Sequence, residues 1–270
     1  MKFLFALIVL LLSAQAPAAD PPFAWPGSHH AAIVLTYDDA VPSDLTIAIP
    51  QLDRAGLKGT FFLMGKAMHV DDLPRWRAAA AAGHELGNHT INHPCARGTY
   101  QMPVQYNSES YTVDVLLSEI NTMNVLLTAI DGHTKHALAT PCEQTKVGTG
   151  ADTKDYIAPL KASGLVSYIR DSSVPVVEVK PDSAITTATV PKLTGIGFIG
   201  TTGADMIAWV KEVEKSGGVG VIVFHGVGGD YLSVSAEAHK ELLDYLSSHR
   251  AEIWTAPYTE AMDYVTKHAH

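Results

Sequence analysis

Cysteine is almost absent from this 270-residue chain, which has only Cys95 and Cys142. Two cysteines cannot build a multi-bridge scaffold or a four-thiolate zinc site. Basic charge is also scarce: 19 Lys and Arg stand against 28 Asp and Glu, a balance of −9. A phosphate backbone would be repelled by such a surface, so no nucleic-acid partner is expected. No basic tract or basic amphipathic stretch points to a membrane surface. Long apolar runs are missing as well, since a bilayer span needs about 20 residues and the longest run, Phe3 to Leu12, is shorter. There is no internal repeat, and no low-complexity segment beyond the first residues.

The short run has a different meaning. Met1-Lys2, the apolar stretch and then Ser-Ala-Gln-Ala-Pro-Ala-Ala follow the charged, apolar, small-residue order of a secretory signal peptide. Residues 1–19 are therefore expected to be a signal peptide and residues 20–270 one catalytic domain, secreted or periplasmic and not inserted in the membrane once the leader is removed. About 250 residues suit one large α/β domain. In an oxidising compartment a Cys95–Cys142 disulfide would persist. Two buried thiols are the alternative, because sequence does not fix the Cα separation that bridging requires.

Along the chain, strands and helices alternate. Ala31 to Tyr37 is a continuous apolar run, the mark of a strand buried on both faces. A helix from about Ser43 to Ala55 follows, with a kink expected at Pro50. Further strands are expected at Gly59–Met64, His84–Gly87, His136–Thr140, Leu165–Ile169, Gly220–Phe224 and Glu252–Trp254. Helices are expected at Leu73–Ala82, Ser110–Ile130, Lys154–Ala162, Ala204–Lys215 and Ala236–His249, with one more at the C-terminus to about Lys267. Residues 171–200 read as short strands or irregular chain. This order predicts a parallel sheet closed or nearly closed into a distorted (β/α) barrel of about seven strands. Residues 94–110 form a connection longer than packing requires, which favours an active-site loop.

Chemistry-bearing residues sit where the strands end: Asp38 and Asp39, His89 and His93, Pro141 and Cys142, Arg170 and Asp171, and His225. In parallel α/β folds the carboxyl ends of strands share one rim, so these positions converge. Two histidines four apart face the same way on one helical turn, and a neighbouring carboxylate completes two imidazoles and one oxygen around a metal. Other histidines, His29, His30, His69, His84, His239 and His249, lack a second ligand at useful spacing and are read as solvated or structural.

These residues resemble the motifs of the polysaccharide deacetylases, carbohydrate esterase family four, also called NodB-homology domains. The first motif, usually Thr-Phe-Asp-Asp, stands as Thr36-Tyr37-Asp38-Asp39. The second, His-Ser/Thr-x-x-His, is intact as His89-Thr90-Ile91-Asn92-His93. The fifth is Val223-Phe224-His225. The resemblance implies that Asp39, His89 and His93 bind one divalent metal; the ligand set of a hydrolytic site favours zinc before cobalt, nickel or manganese. The resemblance implies further that Asp38 is the general base, His225 the general acid and the Cys142 N–H an oxyanion donor. A metal that acidifies water and polarises an acetyl carbonyl suits that division.

Two motifs depart from the pattern. The third, normally Arg-x-Pro and an aromatic residue, reads Ala139-Thr140-Pro141-Cys142, so Arg170 is the candidate to replace its arginine or to contact substrate. The fourth, normally Asp with a nearby Trp, reads Arg170-Asp171-Ser172, where Asp171 would orient His225. Tyr231, beside the Gly226–Gly229 stretch, and Tyr100, Tyr106 and Tyr111 are candidates to stack on a sugar. The expected substrate is an acetylated oligo- or polysaccharide, with ester-linked acetyl groups or short oligosaccharides favoured by the divergence, and no protein partner is inferred. A glycan-binding protein without turnover and a non-haem iron oxygenase are the competing readings. The oxygenase would need an antiparallel double-sheet barrel, and an acid two residues beyond the first histidine rather than fifty before it.

Overall fold

A computed structural model describes residues 23–170 and 199–268. The first strand, β1 (Ala31–Asp38), is buried along its whole length, as its unbroken apolar run requires. Alternate side chains face opposite sides of the sheet. Ile33, Leu35 and Tyr37 pack among helices, whereas Ala32 and Val34 share the opposite face with Phe62. Thr36 and Asp38, in the same phase as Ala32 and Val34, therefore lie on that second face.

The remaining elements follow in order: α1 (Ile49–Ala55), β2 (Thr60–Leu63), α2 (Leu73–Ala81), β3 (Glu85–Asn88), α3 (Val113–Asp131), β4 (His136–Ala139), β5 (Lys146–Val147), β6 (Lys154–Asp155), α4 (Ile157–Ser163), β7 (Val166–Arg170), α5 (Gly203–Ser216), β8 (Val219–Phe224), α6 (Ala236–Ser248), β9 (Ile253–Thr255) and α7 (Tyr258–His268). The main sheet has seven strands in the order β7-β4-β3-β2-β1-β8, with β9 also paired to β1. Every ladder in it is parallel. The sheet curls into a half-barrel of the NodB type, as the alternating pattern predicts. An antiparallel double-sheet oxygenase barrel is thereby excluded.

Tyr37, Phe61 and Phe224 stack at 4.7 and 5.2 Å under the outer helices. The inner face is closed by α7, whose Tyr258, Ala261, Met262 and Val265 bury against β1 and β4 residues. Thr112, Thr202 and Ser235 cap α3, α5 and α6 through their hydroxyls.

Some boundaries differ from expectation. Pro50 does not kink a single helix. A π-helical stretch, Asp44–Ala48, precedes α1, and Pro50 falls in the first turn of α1, where a missing N–H costs little. Lys154 and Asp155 do not begin α4; they pair with Lys146 and Val147 in an antiparallel hairpin. One described helix, the 19-residue α3, is by length and composition apolar enough to cross a membrane, contrary to the expectation that no such segment exists. Its Leu116, Ile120, Met123 and Leu127 are buried in the core, while Asp114 and Asn121 interrupt the opposite face.

Candidate metal centre and catalytic cleft

Parallel pairing puts the C-terminal ends of β1, β2, β3, β4, β7 and β8 on one rim, around a cleft of about 710 Å³. Asp38, Asp39, His89, His93 and His225 all line it. Asp38 is the last residue of β1, and Asp39 turns the chain with φ of 79°, an unusual conformation for a residue with a Cβ.

The two histidines reach the cleft from a tight non-helical turn, not from one turn of helix as the spacing had suggested. Thr90 and His93 have φ of 62° and 53°. Asn88 Oδ1 accepts the Thr90 N–H at 2.7 Å, and Thr90 Oγ1 accepts the His93 N–H at 2.9 Å. Glu119 of α3 braces the same turn, accepting the Ile91 and Asn92 N–H groups at 3.0 and 2.7 Å. α3 therefore serves the site as well as the core. No motif marks Glu119, whose partners are backbone groups nearly thirty residues away.

Asp39 Oδ1 lies 3.3 Å from His89 Nε2 and 3.4 Å from His93 Nε2, and the two Nε2 atoms are 3.0 Å apart. Oδ1 is buried and has no hydrogen-bond partner among the described residues. Opposite each Nε2, the Nδ1 atom meets an acceptor: the Ala139 carbonyl at 2.9 Å for His89 and the Tyr100 hydroxyl oxygen at 3.2 Å for His93. With hydrogens on Nδ1, both Nε2 atoms and Oδ1 direct lone pairs at one point. Such an arrangement repels itself unless a cation lies among the three atoms, so the donor set fits a divalent metal with positions left open. His93, Cys95 and Cys142 also cluster, but the cysteines form a disulfide with a Cα separation of 5.7 Å.

Burial alone would raise the Asp39 carboxyl, but contact with His89 and the charges of His93 and His225 hold it far below the carboxylate range. Burial, with His89 beside it, pushes His93 down to about 3. For His89, burial lowers the pKa, but Asp38 and Asp39 outweigh it and raise the ring.

Asp38 sits under the same floor. Arg170 Nη2 donates to its Oδ2 at 2.5 Å and Arg170 Nη1 to Thr36 Oγ1 at 3.3 Å. The guanidinium carbon lies 4.7 Å over the Phe62 ring centre. Oδ1 of Asp38 is buried without a partner among the described residues. Arg170 is therefore behind Asp38 and does not line the cleft; Pro141 is buried and does not line it either, so neither is placed to touch substrate. His225 Nε2 is 3.8 Å from Asp39 Oδ2. Its expected partner, Asp171, lies outside the described residues. Cys142 lines the cleft with φ of 51°, next to Glu143 with φ of 58°, a local strain held by the disulfide to the loop after His93.

Tyr231 and Tyr100 stand at the cleft wall, and Tyr231 donates to Asp39 Oδ2 at 2.7 Å. Burial and the Asp39 charge push the Tyr100 phenol up to about 12, and Tyr231 upward likewise. Tyr106 and Tyr111 are not among the lining residues; Tyr111 instead donates to Glu119. His84 and His239 are buried structural groups, against Asp53 and Tyr37 respectively.

Comparison with known proteins gives the same picture. The polysaccharide deacetylase family model matches residues 27–156. No curated protein matches the sequence. Among solved structures, a polysaccharide deacetylase assigned by similarity from Mycobacterium smegmatis is 19% identical with a TM-score of 0.59, over 93% of this chain and 95% of that one. A family 4 acetyl xylan esterase from Clostridium thermocellum, in complex with a cobalt ion, is 18% identical with a TM-score of 0.52, over 86% and 91%. A mutant with restored activity of a family pseudoenzyme from Bacillus anthracis is 16% identical with a TM-score of 0.50, over 86% and 67%. At these identities the likeness concerns the fold. The segment that carries Asp38, Asp39, His89 and His93 thus matches the polysaccharide deacetylase family, and the half-barrel is shared with solved structures of that family.

Proposed function

We propose that this protein is a metal-dependent hydrolase that removes acetyl groups from a carbohydrate, with Asp39, His89 and His93 holding the metal. The observation that carries this reading is the convergence of Asp39 Oδ1 and two Nε2 atoms, on rings whose Nδ1 atoms face acceptors, beside the separately held carboxylate of Asp38. Zinc suits a hydrolytic site with this ligand set. When bound, a divalent ion supplies a nucleophilic water at neutral pH and polarises the acetyl carbonyl.

The chain's own groups divide the remaining work. Asp38 accepts the water proton at its unpartnered Oδ1, while Arg170 holds Oδ2 and orients the carboxylate. The Cys142 N–H offers a donor to the developing oxyanion. His225 delivers a proton to the departing oxygen or nitrogen from Nε2. Asp171, adjacent in sequence to Arg170, is the candidate to fix its tautomer.

The N-terminal leader pattern and the Cys95–Cys142 disulfide support a secreted or periplasmic location. A binding protein without turnover is the second reading. It is favoured by the altered third motif, Ala139-Thr140-Pro141-Cys142, and by the existence of a pseudoenzyme of similar fold. Acetate release from acetylated xylan, chitin oligomers and peptidoglycan fragments separates the two. Release from any of them supports the hydrolase and names the substrate class; binding of a glycan with no release from any supports the second reading.

A further inference from the structure

Each of the three residues at the metal centre has a second polar atom turned away from the common point, and each of those atoms is held. For His89 the holder is backbone, the Ala139 carbonyl. For the other two it is a phenol, joined at His93 Nδ1 by the disulfide sulfur of Cys95 at 3.4 Å. The Tyr100 hydroxyl donates to the His93 carbonyl at 3.0 Å and offers its oxygen to His93 Nδ1 at 3.2 Å. The Tyr231 hydroxyl donates to Asp39 Oδ2 at 2.7 Å. Neither tyrosine belongs to the motifs that mark the family in this sequence, and they come from two unrelated loops, one after β3 and one after β8.

Both loops are tied down. Lys66 Nζ donates to the Tyr100 hydroxyl at 3.0 Å and to the Asn92 carbonyl at 2.8 Å, so the ring is fastened to the turn that carries His93. The second loop is fastened to the segment after Asp39: Asp230 Oδ2 accepts the Ser43 N–H at 2.8 Å, and Ser43 Oγ accepts the Val227 N–H at 3.1 Å. It also folds tightly on itself, since a Cβ on Gly226 would meet the Gly229 carbonyl oxygen at 2.0 Å. Tyr100 and Tyr231 are 38% and 49% exposed, so burial does not account for their positions. Their hydroxyls do.

We propose that Tyr100 and Tyr231 are positioning residues of the metal centre, fixing the His93 tautomer and the single coordinating oxygen of Asp39. A proton donated to Oδ2 leaves Oδ1 as the free oxygen and disfavours two-oxygen binding by Asp39. An acceptor at Nδ1 keeps the hydrogen there and the lone pair on Nε2. Both effects act on the affinity for the metal and on the geometry around it, with no contact between either phenol and the ion. The inference rests on Asp39, His89 and His93 being the metal site.

The test is zinc affinity, measured by competition with a chromophoric chelator, for the full-length protein and for Tyr100→Phe, Tyr231→Phe and the double variant. Each phenylalanine removes one hydroxyl and keeps the ring. Partners of this kind contribute about 10- to 100-fold in affinity, so each single variant is expected to bind zinc that much more weakly while the zinc-free melting temperature stays unchanged. Cobalt substitution adds a geometric readout: Tyr231→Phe is expected to weaken the visible d–d absorption as Asp39 takes up a second bond and the coordination number rises. Wild-type affinity in both single variants, or weakened affinity matched by an equal loss of zinc-free stability, overturns the positioning role. Failure of the wild-type protein to bind zinc or cobalt at all overturns the metal reading beneath it, which is a distinguishable result.

Discussion

Arg170 and Asp38 are joined through a buried contact of 2.5 Å, although they lie 132 residues apart, because parallel pairing puts the ends of β7 and β1 on one rim. The third motif of this chain carries Ala139 where the family pattern has arginine. The guanidinium that faces Asp38 therefore comes from a different strand.

Arg170→Ala is expected to lower turnover by about 10- to 1,000-fold, measured as acetate release per bound metal, since an unheld base loses much of a contribution of about 10² to 10⁴. It would also destabilise the fold by about 3–5 kcal/mol, because Asp38 is left buried and unpaired. Arg170→Lys keeps the charge but not the two-pronged geometry to Asp38 and Thr36, and is expected to fall between. An unchanged rate in Arg170→Ala would remove Arg170 from the account of the base.

Asp38→Asn is expected to keep metal and lose nearly all turnover, whereas His89→Ala loses both. Metal content by elemental analysis, beside acetate release on the same samples, separates the two effects. Full activity in Asp38→Asn would be incompatible with Asp38 as base.

The disulfide ties the loop after His93 to the loop that carries the Cys142 N–H, across 47 residues of chain. Replacing both cysteines by serine is expected to cost about 2–4 kcal/mol in urea unfolding, chiefly by loosening the constraint on the unfolded chain. Turnover should fall as well, because both loops reach the cleft. A double variant as stable as wild type would show that the bridge constrains little.

His239 is buried between Tyr37 and Gln51, and burial pushes its pKa down to about 3. The unfolded chain binds a proton at this ring below about pH 6.5, and the folded protein does not until about pH 3. Its stabilising contribution is thus complete above that window and is lost as pH falls through it. Between pH 7 and 4.5 the wild-type protein should lose about 2–3 kcal/mol more than a Tyr37→Phe, His239→Leu variant, in which both partners are removed together. Parallel urea titrations at the two pH values check the difference; equal losses would mean that His239 titrates normally when folded.

The strands and their shared rim were legible because buried parallel strands read as continuous apolar runs, and Asp38, Asp39 and His225 each stand just at or after such a run, while His89 follows the short strand Glu85–Asn88. The turn that carries the histidines was not. Its shape depends on Asn88, Thr90 and Glu119 accepting backbone N–H groups, and such contacts leave no periodicity in the sequence. Helix spacing pointed to a helical turn, and the positive φ values of Thr90 and His93 are the local correction. Tyr231 was legible as a residue of the cleft, but not as a partner of Asp39, since the two lie 192 residues apart. The 94–110 connection was correctly suspected of reaching the cleft, through Thr99 and Tyr100, because so long a loop is rarely needed for packing alone.

The central claim is that this protein releases acetate from a glycan by means of a metal held at Asp39, His89 and His93. The most direct measurement is acetate release by the purified full-length protein before chelation, after chelation, and after zinc is restored. The account predicts release that chelation abolishes and zinc recovers. Release that persists in full once elemental analysis shows the metal gone would contradict it.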